Sequence, residues 1–499
     1  MSHRVSPKNV VADAGIQAGC WATLFGLRKR GGSTKPKAAQ LTRREGAAEA
    51  AELAPYVHFG HGWYDLNYDS VTIDSCPSEK LPEYSEDEGV SPEVLQTIQA
   101  ELEDLSPWLR ELSLDIWHHP EIMYEERYAH DRLTEFMASR GFKVTPHYLG
   151  LETAWRAEFT YPASDTHRKA KTRSTVHARV IGVNSEMDAL PGIGHGCGHN
   201  LIAMSGVAVA LAIKAALQKH DVPGTVILLG TPAEEAGGGK ITLLERGAYK
   251  EMDACIMSHP TAGPANISGL WQGVALQPID VEFFGHGAHA GLAPWEAQNA
   301  LDAAFVAYAS ISALRQQMKP DCRVHGIIVG REWVPNIIPD YAKLRYMIRA
   351  PTYQELDALR ERVIACFDAA ALATACKIEI KVGAAYYEVR NNRILGREYS
   401  RLVGKMYGMR TDTSVGANYS TDFGNVTFAL PALHPAYSIP TEPNGANHTP
   451  QFAKSAATKE AHEATLKVAA GLAALGFKVL QDADFTAEVF DEWKAGCGI

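Results

Sequence analysis

The fold is decided by residues 180–229, VIGVNSEMDALPGIGHGCGHNLIAMSGVAVALAIKAALQKHDVPGTVILL. Residues 180–183 and 225–229 are short runs rich in β-branched side chains, and residues 201–217 form a longer apolar stretch between them. A strand, a helix and a second strand in this order are typical of parallel strands joined by a crossover helix. The sequence therefore predicts an α/β fold built on a mainly parallel sheet with flanking helices.

Polar side chains follow each of three successive predicted strands, the third of which covers residues 254–257. Thiol, imidazole and carboxylate groups of this kind bind divalent metal ions. Because ligands bind at the carboxyl ends of the strands in such sheets, we expect these side chains to share one edge. They are Asp188, Cys197, His199, Glu234, Glu235 and His259.

Each of these side chains also has an ordinary structural explanation when it is taken alone. A single histidine is more often a hydrogen-bonded structural residue, a lone cysteine is a small buried apolar group, and Glu234 with Glu235 can be a solvated loop. Glycines on both sides of Cys197 and before His199 remove side-chain bulk and permit a tight turn. The whole set together favours a metal site.

The doubled glutamate indicates hydrolysis. Neighbouring residues of an extended loop point in opposite directions, so one carboxylate can bind a metal ion while the other acts as general base. A purely structural metal site requires only the ligand. The pattern therefore predicts an attack on a carbonyl group by water that the metal activates and the free carboxylate deprotonates.

Residues 184–200, NSEMDALPGIGHGCGHN, resemble the two-metal aminoacylase and carboxypeptidase family of peptidases. The similarity is greatest to the amidohydrolase branch, which holds auxin-conjugate hydrolases and dipeptidases that cleave substrates of the β-alanyl-lysine type. Residues 117–121, WHHPE, with Glu125 and Glu126, are similar to the first helix of that branch. The resemblance covers roughly residues 91–477.

The resemblance implies a role for each polar side chain. Cys197 would bridge two divalent metal ions, with His199 and His259 on one ion and Glu235 and His448 on the other. The thiolate favours zinc, although manganese or cobalt also suits the remaining ligands. Glu234 would be the general base. Asp188 would orient one of the metal ligands without binding a metal ion itself. Glu186 is not expected to be a ligand.

Residues 273–388 have an order of predicted strands and helices that differs from that of the flanking segments. The predicted order is strand 275–284, helix 297–318, strands 323–329 and 344–348, helix 353–375 and strand 377–382. This β-α-β-β-α-β order is that of a ferredoxin-like α+β unit. The resemblance implies an inserted lid and dimerisation domain.

The resemblance also assigns substrate contacts to that insertion. His289 would reach the substrate carbonyl oxygen, either within its own chain or from the partner of a homodimer, while Asn336 and Arg349 would hold the oxyanion or a substrate carboxylate. From the residues alone, His289 can equally be a turn histidine and Arg349 a charge on an edge strand. The predicted divisions are an irregular extension 1–90, a catalytic domain 91–272 and 389–480, the insertion 273–388, and a tail 481–499.

Composition restricts the partners of the chain. Its 499 residues carry 48 basic and 58 acidic side chains, for a net charge of −10, so a polyanionic partner such as nucleic acid is not expected. No stretch predicts a membrane span, and the eight scattered cysteines indicate free thiols in a reducing compartment. The predicted location is cytoplasmic. Nine basic and three acidic residues among the first 50 also fit an organellar transit segment or a disordered tail.

The sequence thus predicts a metal-dependent amidohydrolase that cleaves a dipeptide or an N-acyl amino acid. Two alternatives remain open. The first is a non-catalytic, metal-binding dimeric scaffold, which would not require Glu234. The second is a hydrolase that uses Cys197 as nucleophile, which requires an exposed thiolate.

Overall fold

A computed structural model describes residues 89–162, 178–413 and 419–496. Residues 1–88 of the predicted N-terminal extension lie outside the described residues, as do residues 497–499 of the predicted tail. The helices are α1 (Pro92–His118), α2 (Arg127–Ser139), α3 (His199–His220), α4 (Gly239–Glu245), α5 (Ala300–Leu314), α6 (Tyr353–Thr374), α7 (Arg393–Tyr407), α8 (Phe423–Ala429), α9 (Pro450–Ser455), α10 (Lys459–Gln481) and α11 (Ala483–Ala495).

Three sheets are formed by the described strands. The strands are β1 (Lys143–Thr145), β2 (Trp155–Tyr161), β3 (Val180–Glu186), β4 (Gly224–Thr231), β5 (Ala254–Ile256), β6 (His259–Ala262), β7 (Ile267–Gly269), β8 (Ala275–Phe284), β9 (Arg323–Val329), β10 (Tyr341–Ala350), β11 (Lys377–Val382), β12 (Arg410–Asp412), β13 (Ala432–Leu433) and β14 (Ala436–Ile439). The sheet orders are β1-β2-β4-β3-β5-β13, β11-β8-β10-β9 and β12-β7-β14-β6.

The first sheet is the predicted mainly parallel sheet. Strand β3 pairs in parallel with β4 and β5, and β5 pairs in parallel with β13. The edge strands β1 and β2 are antiparallel, so the sheet is mixed at one side only. Every residue of β3 and β4 is buried, which is expected for strands covered on both faces.

Helix α3 is the crossover between β3 and β4. It packs against α1, α10 and β3. By length and composition its 22 residues could cross a membrane, but 89% of the apolar window is buried inside the protein. Residues 199–213 are buried on all sides, which explains why this part of the helix is apolar all round, whereas Gln218 and Lys219 in the last turn are exposed. It is the core helix of the catalytic part.

The second sheet belongs to residues 275–382 and has the element order predicted for the insertion. Its strands all pair antiparallel, and helices α5 and α6 pack against β8 and β10. The order β11-β8-β10-β9 places the fourth strand beside the first and the third beside the second, as in a ferredoxin-like unit. Burial alternates along β8 and β10, because only one face of the sheet is covered.

Some boundaries differ from the sequence prediction. The helix predicted for residues 297–318 begins at Ala300, because the side chain of Asn299 caps it, and its last turn tightens to a 3₁₀ helix at Arg315–Gln317. Residues 483–495, predicted as tail, form helix α11. Asp482 caps that helix, and Phe485 and Val489 are buried. The third sheet was not predicted, since its strands have only three or four residues.

Candidate metal centre

The turn before α3 delivers a thiol and an imidazole to the carboxyl edge of the first sheet. Cys197 precedes the helix, and His199 is its first residue. Gly198 between them has a φ of 85°, and a Cβ at this position would lie 2.6 Å from Cγ of Pro260. No other residue type fits this left-handed, tightly packed position without strain. The glycine therefore permits both side chains to face the same site.

The structure brings the five predicted metal ligands together in two groups of three. Cys197, His199 and His259 form one group, and Cys197, Glu235 and His448 form the other; Glu234 belongs to two further groups, with His199 and Glu235 and with Glu186 and Asp422. Within each group the candidate ligand atoms all lie within 4.8 Å of one another. The Cys197 Sγ lies 3.4 Å from the His259 Nε2, and the His448 Nε2 lies 3.4 Å from the Glu235 Oε2. Cys197 is common to both groups.

Hydrogen bonds on the side away from the candidate metal position orient the buried His199 and the partly buried His259. The His199 Nδ1 lies 3.1 Å from the Asp188 Oδ1, and the His259 Nδ1 lies 2.8 Å from the Pro260 carbonyl oxygen. An imidazole that donates from Nδ1 presents the Nε2 lone pair to a metal ion. Among the described residues the buried Nε2 of His199 has no hydrogen-bond partner, and the Glu186 Oε2 lies 3.4 Å from it.

Asp188 also fixes the loop that carries the glutamate pair. Its Oδ2 accepts a 3.0 Å hydrogen bond from the backbone N–H of Glu235. One carboxylate therefore positions both His199 and Glu235, which belong to different groups among the two that share Cys197. This is the orienting position expected for Asp188.

The two glutamates differ in their electrostatics. Burial, and then the negative charges of Glu186 and Glu235, raise the pKa of Glu234 well above its ordinary value. Burial acts in the same direction on Glu235, but the hydrogen bond from His448 and the nearby His199 outweigh it, so its pKa is lowered. Neighbouring carboxylates with opposite shifts suit different tasks, one as proton acceptor and one as anionic ligand.

The comparisons with known proteins agree with this geometry. The profile described as "Peptidase family M20/M25/M40" matches residues 182–473. The chain belongs to this peptidase family. It is 41% identical over 415 residues to the human protein named Xaa-Arg dipeptidase. The alignment covers 81% of this chain and 92% of that protein. The mouse protein of the same name is 43% identical, over 78% of this chain and 89% of its own length.

A solved structure supports the fold. A Bacillus subtilis protein described as a dinuclear metal binding peptidase from the M20 family aligns with a TM-score of 0.56 and 18% sequence identity. The alignment covers 76% of this chain and 99% of that protein. The predicted family and fold class are therefore confirmed, and the chain is a hydrolase of the peptidase M20 family.

A charged network behind the metal centre was missed by the sequence analysis. The Nζ of Lys240 lies 2.7 Å from the Glu186 Oε1 and 2.6 Å from the Asp422 Oδ1, and all three side chains are fully buried. The other Glu186 oxygen lies 3.4 Å from the His199 Nε2. A buried lysine between two carboxylates balances their charge. Nothing in the sequence marks Lys240, whose partners lie 54 and 182 residues away.

Glu126 is the second residue that sequence reasoning did not place at the site. Its carboxylate is fully buried and accepts hydrogen bonds from the Ala233 N–H at 2.8 Å and the Thr153 hydroxyl at 2.7 Å. Ala233 directly precedes the glutamate pair and has a φ of 58°, which is unfavourable for alanine. Burial, and then Asp188, raise the pKa of Glu126 to about 7. Its neighbour Glu125 is exposed. The two glutamates differ only in their burial, which the sequence does not show.

His448 is placed by a turn near the end of the catalytic part. Its φ is 68°, and its backbone N–H donates a 2.8 Å hydrogen bond to the carbonyl oxygen of Gly196. Asn447 donates to the Pro260 carbonyl oxygen at 3.0 Å. These bonds attach the turn to the segments that carry Cys197 and His259. The side chain of His448 is 55% exposed, so this edge of the site faces solvent.

The three predicted substrate contacts do not form one cluster in the single chain. His289 and Asn336 lie in adjacent exposed turns, where the Ala290 N–H donates to the Asn336 carbonyl oxygen at 3.0 Å. Arg349 lies near the other end of β10, about 26 Å along the strand from its first residue at roughly 3.3 Å per residue. It donates a 3.0 Å hydrogen bond to the Ser420 hydroxyl.

Proposed function

We propose that this protein is a metal-dependent dipeptidase that releases a basic amino acid from the C-terminal side of a dipeptide. The metal centre carries this proposal, because five candidate ligands converge in the two groups that share Cys197, and the Glu234 carboxylate lies beside them outside both of these groups. The human and mouse relatives, whose alignments cover about nine tenths of their length, are both named Xaa-Arg dipeptidase. An N-acyl amino acid presents the same amide bond and is the related substrate to compare.

The donor set fits two divalent metal ions. Thiolate, imidazole and carboxylate ligands suit zinc, with manganese or cobalt as alternatives. The unpartnered Nε2 of His199 and Oε1 of Glu235 are buried polar atoms of the kind that a bound cation satisfies. We assign Cys197 to both ions, His199 and His259 to one, and Glu235 and His448 to the other. When bound, the ions lower the pKa of water and polarise the carbonyl group.

Residues of the chain carry out proton transfer, the positioning of the metal ligands and the stabilisation of the oxyanion. Glu234 accepts the proton of the attacking water and returns it to the leaving amine. Asp188 holds His199 and the backbone of Glu235 in place. The oxyanion requires a hydrogen-bond donor, and His289 is the proposed one.

His289 and Asn336 serve this role from the partner subunit of a homodimer in our proposal, while Arg349 acts within its own chain. Large apolar side chains are exposed around the two turns and along the edge strand β9. Such a surface is typical of an interface between subunits. Its exposed side chains are Leu292, Trp295, Ile327, Val329, Trp333, Val334 and Ile337.

The alternative of a cysteine-dependent hydrolase has little support in the geometry. Burial, followed by the charge of Glu235, raises the pKa of the Cys197 thiol above its ordinary value. A nucleophilic cysteine requires an accessible thiolate, whereas Cys197 is buried. The five described cysteines are free, which supports a reducing compartment such as the cytoplasm, with an organelle as the second proposed location.

The test is hydrolysis of a dipeptide panel by the full chain, with metal analysis of the same sample. The panel pairs each of several N-terminal residues, β-alanine included, with C-terminal arginine, lysine, alanine or glutamate, and adds N-acetyl-arginine. We expect the arginine and lysine dipeptides to give the highest kcat/KM, and a chelator to abolish turnover until zinc, manganese or cobalt is restored. Equal kcat/KM for the four C-terminal residues would contradict the proposed substrate class. Turnover that survives removal of all metal would contradict the proposed mechanism.

A further inference from the structure

The loop of residues 231–239, which carries Glu234 and Glu235, is held by a tyrosine from a distant part of the chain. The Tyr386 hydroxyl donates a 2.8 Å hydrogen bond to the Glu234 carbonyl oxygen and accepts a 2.9 Å hydrogen bond from the Gly238 N–H. One hydroxyl thus binds both sides of the loop. Tyr386 lies 152 residues beyond Glu234 and is not a candidate metal ligand.

Tyr386 lies where the chain returns from the second sheet to the catalytic part. Its backbone pairs with Leu276, the second residue of the strand that enters the second sheet, through hydrogen bonds of 2.8 and 2.9 Å. Two more hydrogen bonds join these segments, from the Gly383 N–H to the Pro278 carbonyl oxygen and from the Gln277 side chain to the Gly383 carbonyl oxygen, both at 2.9 Å. We call this paired segment, residues 275–278 with 383–386, the crossing.

The side chain of Tyr386 can transmit a movement of the crossing to the loop of residues 231–239. It is 5% exposed, and its ring lies beside the loop, since a Cβ at Gly238 would be 3.4 Å from the Tyr386 Cε1. Burial, followed by the charges of Asp422 and Glu234, raises the pKa of this hydroxyl, so it remains a donor. A rigid ring fixed at the crossing leaves the loop little freedom to move independently.

The other side chains that hold the loop come from the catalytic part itself. Glu126 binds the Ala233 N–H, Asp188 binds the Glu235 N–H, and the Tyr124 hydroxyl donates to the Gly237 carbonyl oxygen at 2.9 Å. Tyr386 differs from them because its backbone belongs to the crossing. Any rotation of the second sheet about the crossing therefore acts on the loop through this residue.

We propose that Tyr386 is a positioning residue that couples the orientation of the second sheet to the placement of Glu234. The inference rests on the proposed function, in which Glu234 is the general base. Tyr386 is assigned no contact with substrate or metal ion in the proposed function. It acts by fixing the backbone from which the Glu234 carboxylate extends, and small displacements of a catalytic group are costly because proton transfer requires precise geometry.

The test is the Tyr386→Phe variant of the full, metal-loaded chain. We expect kcat to fall about 10- to 100-fold while KM stays within about twofold and the metal content stays that of the wild type. Tyr399→Phe is the matched control, because it removes another buried tyrosine hydroxyl, which lies 3.2 Å from the Ser268 hydroxyl and away from the loop. We expect it to retain the wild-type kcat.

Hydrogen exchange followed by mass spectrometry supplies a readout that does not depend on turnover. In Tyr386→Phe, peptides from residues 231–239 should exchange faster than in the wild type and in Tyr399→Phe, while peptides from β3 and β4 remain protected. Wild-type kcat in Tyr386→Phe, or unchanged exchange of the loop, would overturn the inference. So would a fall in kcat that is matched by loss of metal. An inactive wild-type chain with full metal content would instead contradict the proposed function.

Discussion

The first and second sheets use their side chains in opposite ways. Every residue of β3 and β4 in the first sheet is buried, and the polar groups at the ends of these strands are buried with them. The second sheet has one covered face, and large apolar side chains such as Trp295 and Ile327 are 78% and 61% exposed. In the first region polar groups lie in the interior, whereas in the second apolar groups lie on the surface.

This difference suggests that the first region determines the chemistry of the protein and the second its self-association. Buried charge persists only where partners balance it, as Lys240 does for Glu186 and Asp422, so changes there disturb a coupled network. Exposed apolar area costs little in a single chain but favours a contact that covers it. We therefore expect substitutions in the first region to change turnover and stability, and those in the second to change assembly.

The largest effect is expected for Cys197→Ala. Because Cys197 belongs to both groups of candidate ligands, its loss should remove both ions and reduce turnover to background. His448→Ala affects one group only, so it should retain about one of the two ions. Metal analysis after dialysis measures both. Glu379→Gln, on the exposed edge of the second sheet, is the control with unchanged metal content and turnover. Two retained ions in Cys197→Ala would contradict the bridging role.

The next effect separates a ligand from a base. Glu234→Gln should lower kcat about 10²- to 10⁴-fold, since a general base of this type contributes that much, while both ions remain bound. Glu235→Gln should lose metal as well, because the neutral amide is a poorer ligand. Steady-state kinetics with metal analysis distinguishes the two variants. Metal loss in Glu234→Gln would contradict this assignment and would indicate that Glu234 is the metal ligand and Glu235 the general base.

Much of the fold followed from periodicity and from the order of elements. The run of residues 201–217 is apolar except for Ser205 and Lys214, and residues 275–284 and 323–329 have the length and composition of strands, so local pattern was sufficient to predict them. The third sheet could not be predicted. Its strands have three or four residues, and long-range pairing rather than local preference forms them.

The metal centre was predictable in part, for a physical reason. Four of its candidate ligands follow strand ends, where topology gathers side chains, but His448 lies in an irregular turn and was found only through the family resemblance. Lys240 and Tyr386 were missed altogether, and Glu126 was named only in the family resemblance, without a role at the site. Their roles arise from burial and from partners more than 50 residues away, and no spacing in the sequence records either.

The third prediction compares the cores of the two regions. Leu228→Ala in β4 should lower the free energy of unfolding by about 2–5 kcal/mol, because it leaves a cavity at a fully buried position. Ile327→Ala on the edge strand β9 should change it by less than about 0.5 kcal/mol at concentrations where the chain is monomeric. Ile327→Ala should instead weaken self-association, measured by sedimentation over a range of concentrations. Unchanged association would exclude this edge strand from the interface.

The smallest effect concerns acid stability. His462 in α10 is 3% exposed, and its Nε2 lies 3.0 Å from the Ser106 hydroxyl. Burial, followed by the charge of Arg110, lowers the pKa of His462 to about 4. An unfolded histidine titrates near 6.5, so between these two values the unfolded chain binds more protons than the folded one. The stabilisation is complete above about pH 6.5 and is lost as the pH falls towards 4.

His462→Gln tests this contribution directly, because glutamine keeps a hydrogen-bonding group beside Ser106 but cannot take up the proton. Urea unfolding at pH 6.5 and pH 4 should show a loss of stability smaller than that of the wild type by about 1–2 kcal/mol, a value reduced for partial solvent screening. Ser106→Ala keeps the imidazole and should retain most of the wild-type pH dependence. Equal pH dependence in wild type and His462→Gln would mean that other groups of the catalytic part, such as the buried His195 and His434, account for its acid sensitivity.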